Sequence, residues 1–284
     1  LDERPSLQGI MCALYEKIEG CEKFISYAIR DHYLPVGSND VVPKQPLSIV
    51  LALSDKIDYL TSLWRIGIKP TGNKDPFALR RTALGIIRII LENKLDVDLD
   101  YLIDLTKVNF DMSDLQLFLK ERIINYLTER KYQKKVVEAV VKQYKLDFLP
   151  MLPRVIAEIT EFISSDPGVR FLAVYKRVFN LLSSNNELIS SEKKFSKECA
   201  TEDDKTLQKQ LTLLKEQVEE CLQHKDFKKA LLSLVSIVDP VNQFLDNTQV
   251  NCEERELRNL RYSLLSQISE TTDSIVVFSE FDKK

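Results

Sequence analysis

Glycine and histidine are both scarce in this chain, and each scarcity removes a class of chemistry. The seven glycines among 284 residues, Gly9, Gly20, Gly37, Gly67, Gly72, Gly85 and Gly168, never cluster. Without a Gly-rich loop to wrap a phosphate, Walker and dinucleotide-binding folds are excluded. Histidine occurs only as His32 and His224, so neither a catalytic triad nor a multi-histidine metal centre can be assembled from this chain alone. The five cysteines, Cys12, Cys21, Cys199, Cys221 and Cys252, are odd in number and never closer than nine residues. They read as reduced cytoplasmic thiols rather than a disulfide framework. Long apolar runs are absent too. The most apolar stretches, Leu84 to Leu91 and Leu231 to Val238, are far shorter than the about 20 residues of a membrane span. The opening LDERPSLQ lacks the basic start and apolar core of a signal peptide.

What is present is helical periodicity. With 44% hydrophobic and 29% charged residues and only ten prolines, the chain has the composition of a helix-rich globular protein. Strand-like alternation is almost absent, so the expected fold is all-α. Helices are expected near residues 8–28, 46–66, 76–92, 99–106, 114–130, 133–143, 154–164, 167–182, 204–223, 227–247 and 253–272. Asp75-Pro76 and Asp166-Pro167 each place an N-cap residue before a proline suited to the first helical position, Ser113 with Gln116 has the capping-box spacing, and Thr201 with Asp204 is a weaker relative. Asp239-Pro240 falls inside the apolar periodicity of Leu231 to Phe244, where a kink is expected rather than a break. The acidic stretch Asp96 to Asp104 and the polar run Ser183 to Lys205 mark composition shifts, the first separating domains and the second forming a long exposed loop or a poorly anchored helix. Residues from Phe278 onward are expected to be frayed.

Charge is distributed unevenly. The formal net charge is -3, yet between Arg65 and Ile90 the basic residues Arg65, Lys69, Lys74, Arg80, Arg81 and Arg88 face Asp75 alone. This segment, KPTGNKDPFALRR from Lys69 to Arg81, combines a glycine turn, a helix start at Pro76 and a run of cations. Leu79, Ala83, Ile86, Ile87 and Ile90 recur at helical spacing as a buried stripe, and Arg81 and Arg88 share a different face. Two readings stand beside each other: a patch that faces phosphate groups, or a solvated face whose arginines organise the domain core or a subunit interface. Farther on, Lys176 and Arg177 follow Tyr175 on an apolar helix. Arg255, Arg258 and Arg261 recur every three residues, with Tyr262 adjacent. A guanidinium or ring beside a phosphate contact suits the reading of a splayed single-stranded loop. Salt bridges to Glu253, Glu254 and Glu256 are the competing use.

The basic segment resembles the signature of the β subunit of bacterial heterotetrameric glycyl-tRNA synthetase, an Ala-Asp-Lys-Leu-Asp helix leading into a Pro-x-Gly-x-Lys-Asp-Pro-Phe-Ala-Leu-Arg-Arg run. The first part stands here as Ser54-Asp55-Lys56-Ile57-Asp58. Further similarities follow in order: LQGIM at Leu7 to Met11, DHYLP at Asp31 to Pro35, FLKERIINYL at Phe118 to Leu127, VYKRVFNLL at Val174 to Leu182 and RELRNLRYSLL at Arg255 to Leu265. The likeness covers nearly the whole chain and falls in the C-terminal part of a much longer subunit, so the chain is expected to be a fragment beginning inside a domain.

The resemblance implies three parts: the tail of an HD-like helical domain over 1–95, a helical linker region over 96–165, and a helical anticodon-binding domain like that of arginyl-tRNA synthetase over 166–284. It implies tRNA(Gly) as ligand and the α subunit as partner in an α2β2 enzyme, in the cytoplasm and with no membrane association. ATP and Mg are used by the complete enzyme through the α subunit. This fragment is expected to hold no cofactor, no catalytic residue and no metal site. The HD-type likeness does not change that: Asp31-His32 inverts the His-Asp order, and Asp55 with Asp58 reads as helix-surface ion pairing. The residues expected to meet tRNA are Lys69, Lys74, Arg80, Arg81, Arg88, Lys176, Arg177, Arg255, Arg258, Arg261 and Tyr262. The other function classes kept open are a helical subunit-assembly module with little RNA contact and a degenerate HD-type metal phosphohydrolase.

Overall fold

The structure is a computed structural model that describes residues 7, 9–107, 111–184 and 200–281. Its regular elements are helices, and the only β-type pairing among the described residues is one isolated bridge between Thr71 and Lys74. The chain divides into two compact units, residues 1–131 with 144–152, and residues 132–143 with 153–284.

The first unit contains α1 (Ile10–Ile18), α2 (Lys23–Asp31), α3 (Pro46–Arg65), α4 (Leu79–Glu92), α5 (Leu99–Asp104), α6 (Met112–Glu129) and a 3₁₀ turn over Leu146–Met151. Its centre is α4, whose stripe of Leu79, Ala83, Ile86, Ile87 and Ile90 is buried as the periodicity requires. That stripe packs against α3 and α6, which bury Ala52, Ile57, Leu60 and Leu115, Leu119, Ile123. Each such large apolar side chain contributes about 1.5–3 kcal/mol through removal from water. The opposite situation holds on α1 and α2, where Leu14, Tyr15, Ile18, Phe24 and Tyr27 are exposed, Ile18 by 80%.

The second unit contains α7 (Lys134–Gln143), α8 (Leu152–Ser164), α9 (Asp166–Ser184), α10 (Glu202–Gln223), α11 (Phe227–Ser233), α12 (Val238–Asn247) and α13 (Arg255–Asp273). Leu207, Leu211, Leu214 and Val218 of α10 form its spine against α12 and α13, which bury Val241, Phe244, Leu264, Leu265 and Ile268. Tyr175 of α9 donates to Asp273 Oδ1 of α13 at 3.0 Å, tying two helices together through a partly buried pair. Gly168 occupies the α8–α9 corner because nothing larger fits: an added Cβ would lie 1.9 Å from the Phe162 carbonyl oxygen.

Several expected boundaries move, each for a local reason. The single helix over 8–28 is two helices: Gly20 takes φ +86°, and its N–H and that of Cys21 close back on Lys17 and Glu16 carbonyls, a C-terminal motif that needs a left-handed residue. The helix expected from Pro76 begins at Leu79. Asp75 to Ala78 form a turn, and both Asp75 carboxylate oxygens accept backbone amides, from Leu79 at 2.8 Å and Arg80 at 3.0 Å. The expected Ser113–Gln116 box is replaced by Asp111, which accepts from Ser113 N. Thr201 and Asp204 do form a full capping box.

Instead of a kink at Pro240, the helix over 227–247 breaks at a 3₁₀ turn over Leu234–Ile237. The proline ring excludes a normal helical carbonyl four residues earlier. The acidic stretch Asp96 to Asp104 lies inside the first unit, with Leu99 and Ile103 buried, and so is not a domain edge. Most of the polar run 183–205 lies outside the described residues, as do 282–284. Phe278 to Phe281, expected to fray, form a 3₁₀ turn with Phe278 buried against Phe171 and Tyr175. Among the described residues no helix is long and apolar enough to cross a membrane.

Candidate nucleic-acid interface

The basic segment of the first unit separates into cations committed to the fold and cations presented to solvent. Arg88 is the clearest case of the former. It is 5% exposed, and its guanidinium donates to Glu92 Oε1 at 2.8 Å, to Gly37 O at 2.8 Å and to Asp40 O. Arg81 and Arg88 therefore do not share a solvent face: two turns farther along α4 the 37–40 loop lies over Arg88 and takes up its guanidinium, so its expected role against tRNA is replaced by a structural one. Glu92 also accepts from Arg130 at 2.7 Å and from the Tyr126 hydroxyl at 3.2 Å. Burial alone would raise the Glu92 pKa, but the hydrogen bond and charge of Arg88, with the charge of Arg130, hold it below the usual carboxylate range. Burial pushes the Tyr126 hydroxyl up to about 12.

The remaining members of the segment are accessible. Arg81 and Lys74 are exposed and have no side-chain partner among the described residues. Lys69 pairs with Asp114 and lies 5.4 Å from the Trp64 ring centroid. Arg80 is half-buried, donating to Gly72 O at 2.6 Å, so one face of its guanidinium is used to close the turn.

Lys56, in the Ser54 to Asp58 match, is buried instead of lining a solvent face. Its Nζ donates to the His32 and Tyr33 carbonyls at 3.2 and 3.1 Å, burial lowers its pKa, and Gly85 leaves room for its stem. Asp31 is bonded by Arg30 at 2.6 Å, and Asp55 and Asp58 are exposed. Among the described residues no three His, Cys, Asp or Glu side chains gather as a metal site.

In the second unit the arginine triplet of α13 splits in the same way. Arg255 is exposed and has no partner among the described residues. Arg258 is half-buried, with one long contact to Cys252 O at 3.5 Å. Arg261 is buried, its Nε 3.2 Å from Asp204 Oδ1 and its Nη1 2.8 Å from Gln249 O, and Tyr262 is 3% exposed. Neither Arg261 nor Tyr262 is offered to a ligand, because successive threes along a helix rotate into the core. Lys176 is exposed, and Arg177 bridges α9 to α12 through Asn242 and Asp246, both at 2.8 Å.

The sequence reading passed over Arg122, Asn125, Tyr59 and Phe77, which the fold brings beside Arg80 and Arg81. A signal was available for the first two, since both lie within the FLKERIINYL match.

Residues 1–142 match the family model for the glycyl-tRNA synthetase beta subunit. The chain belongs to that family. Residues 171–275, which run from α9 through α13, match the DALR anticodon binding domain. Among curated relatives, the glycine–tRNA ligase beta subunit of Paracoccus denitrificans is 33% identical over 283 residues, 99% of this chain and 41% of the relative. That of Rickettsia typhi is 37% identical over 97% of the chain and 41% of the relative. That of Janthinobacterium is 33% identical over 98% of the chain. The chain thus spans about 41% of the length of the family members it matches.

Proposed function

We propose that this chain is the tRNA-binding part of a glycyl-tRNA synthetase beta subunit, holding tRNA(Gly) while an α subunit carries out ATP- and Mg-dependent aminoacylation in the cytoplasm. The observation that carries the reading is the DALR anticodon binding match over α9 to α13 within a chain of this family. Two groups of accessible cations support it, Lys74 and Arg81 in the first unit and Lys176, Arg255 and Arg258 in the second. Their contribution is positioning: a tRNA held at two places presents its acceptor end at high effective concentration to a partner's active site. In an α2β2 assembly the bond-making groups would come from the α subunit, so this chain with glycine, ATP and tRNA is expected to form no glycyl-adenylate.

A second reading, a subunit-assembly module, is favoured by the exposed Tyr15, Ile18 and Phe24 of α1 and α2, which suit a protein interface. The two readings use different residues and are compatible, and RNA affinity separates them.

The experiment compares wild type with Arg255→Ala/Arg258→Ala on tRNA(Gly) and on the same tRNA with altered anticodon bases, at two salt concentrations. Base reading costs about 1–3 kcal/mol per lost contact and makes the mutant indifferent to the anticodon. Phosphate contact weakens both tRNAs alike and lowers the salt slope by about one per charge. No saturable tRNA binding by the wild type would overturn the proposal.

A further inference from the structure

Two pockets of the first unit share one side chain. The first, about 280 Å³, is lined by Asp75, Arg80 and Arg81 at the start of α4 and by Arg122, Asn125 and Glu129 on α6. The second, about 340 Å³, is lined by Tyr33, Asp55, Tyr59, Phe77 and Arg81 among others. Three of the segments that carry the family likeness, DHYLP, Ser54 to Asp58 and KDPFALRR, meet at the second pocket, and FLKERIINYL joins KDPFALRR at the first.

The first pocket has the electrostatics of an anion site. Three guanidiniums face two carboxylates, and Asp75 already caps the Leu79 and Arg80 amides with both oxygens. Arg122 Nε is shielded from solvent and has no hydrogen-bond partner, its ion pair being a 3.5 Å contact with Glu121. The Arg122 guanidinium is thus only weakly neutralised within the chain, which suits a charge-assisted bond to an oxyanion from the part of it that lines the pocket. The second pocket has different chemistry. Tyr59 and Phe77 are 40% and 43% exposed, and the Tyr59 hydroxyl donates to the Phe77 backbone carbonyl at 3.2 Å. Exposed rings beside a guanidinium are a stacking platform for a base. Asp55 on the wall only accepts hydrogen bonds, which favours a base carrying an exocyclic amine.

We propose that the two pockets form one site for an unpaired nucleotide of bound RNA, with its phosphate among Arg80, Arg81 and Arg122 and its base against Tyr59 and Phe77. Arg81, which lines both, spans phosphate and base. The site takes a single-stranded segment because a base inside a duplex presents no free face to the rings. The inference rests on the tRNA-binding reading and deepens it.

The test uses the 284-residue chain, a fluorescent single-stranded cytidine tetranucleotide, its uridine counterpart and tRNA(Gly), with binding read by anisotropy. Arg81→Ala, Arg122→Ala and Tyr59→Ala should each weaken the cytidine oligomer about 5- to 150-fold, the range of one stacking or charged contact. Tyr59→Phe, which keeps the ring and loses only the hydroxyl bond to Phe77 O, should weaken it less than Tyr59→Ala, and cytidine should bind more tightly than uridine. Wild-type affinity in both Arg81→Ala and Arg122→Ala, or no oligomer binding by the wild type, overturns the site. The two readings fail separately. If tRNA binding responds to Arg255 and Arg258 but no pocket variant changes the oligomer, the tRNA reading stands without this site. If tRNA does not bind while the oligomer binds through Arg81, the site stands and the tRNA reading falls.

Discussion

Arg261 of α13 reaches the same carboxylate that caps α10. Its Nε lies 3.2 Å from Asp204 Oδ1, while Asp204 Oδ2 accepts from the Thr201 amide at 2.8 Å and the Thr201 hydroxyl at 2.7 Å. One buried aspartate, 0% exposed, thereby fixes the start of one helix and its register against another.

Removing that cation should be costly. Arg261→Ala leaves Asp204 charged and buried, and loss of one partner of such a pair destabilises by about 3–5 kcal/mol. Urea unfolding followed by circular dichroism reads this in the second unit. The folded fraction should keep its tRNA affinity, because the guanidinium does not face solvent.

Glycine substitutions should split sharply by position. At Gly168 an added Cβ meets a backbone carbonyl at 1.9 Å, an overlap no rotamer relieves, so Gly168→Ala should lose about 3 kcal/mol or more. At Gly37 the added Cβ meets nothing within 4 Å and φ is not left-handed. Gly37→Ala should stay within about 0.5 kcal/mol of wild type in the same assay.

Two carboxylates should shift the pH dependence of stability in opposite senses. Glu92 is held below its ordinary range, so its contribution is present above the unfolded carboxylate pKa and lost as pH falls through its depressed folded value. Glu92→Gln should flatten the acid-side decline, followed by fluorescence of Trp64, the one tryptophan, in the first unit. Asp273 is raised by burial, against the hydrogen bonds from Tyr175, Ser269 and the Phe278 amide. Its contribution is present below the unfolded pKa and lost as pH rises through the raised folded value. Asp273→Asn should therefore gain most relative to wild type at neutral pH, and the gain should vanish in acid.

Ala78, in the turn that feeds α4, sits at φ +54° and ψ +33°. A left-handed alanine costs about 1–2 kcal/mol, part of which glycine returns as unfolded-chain entropy. Ala78→Gly should raise the stability of the first unit by up to about 1 kcal/mol, seen as a later urea midpoint at constant slope.

The α4 stripe and the all-helical fold were legible because apolar spacing is a local signal that burial obeys. Leu79 and Ile90 are where their period puts them. Family likeness and the second-unit location of an anticodon binding domain were equally readable from separated matches. The cations were not. Arg88, Arg177 and Arg261 look like Arg81 in sequence, and what separates them is a partner 51, 69 or 57 residues away. Helix breaks at Gly20 and before Pro240 were missed because apolar periodicity runs through both. The site pairing Arg81 with Arg122 joins two helices whose packing no spacing reveals.

The uncovered rings and aliphatic side chains of α1 and α2 bear on every titration described above. Excluded salts such as sulfate strengthen association through apolar surface, whereas any salt weakens contact with phosphates. Raising sulfate thus favours association through these side chains while releasing RNA, and the two responses part company only when protein concentration is varied alongside salt. A binding slope taken at a single, high protein concentration would blend self-association with ion release; chloride at low protein concentration isolates the electrostatic component.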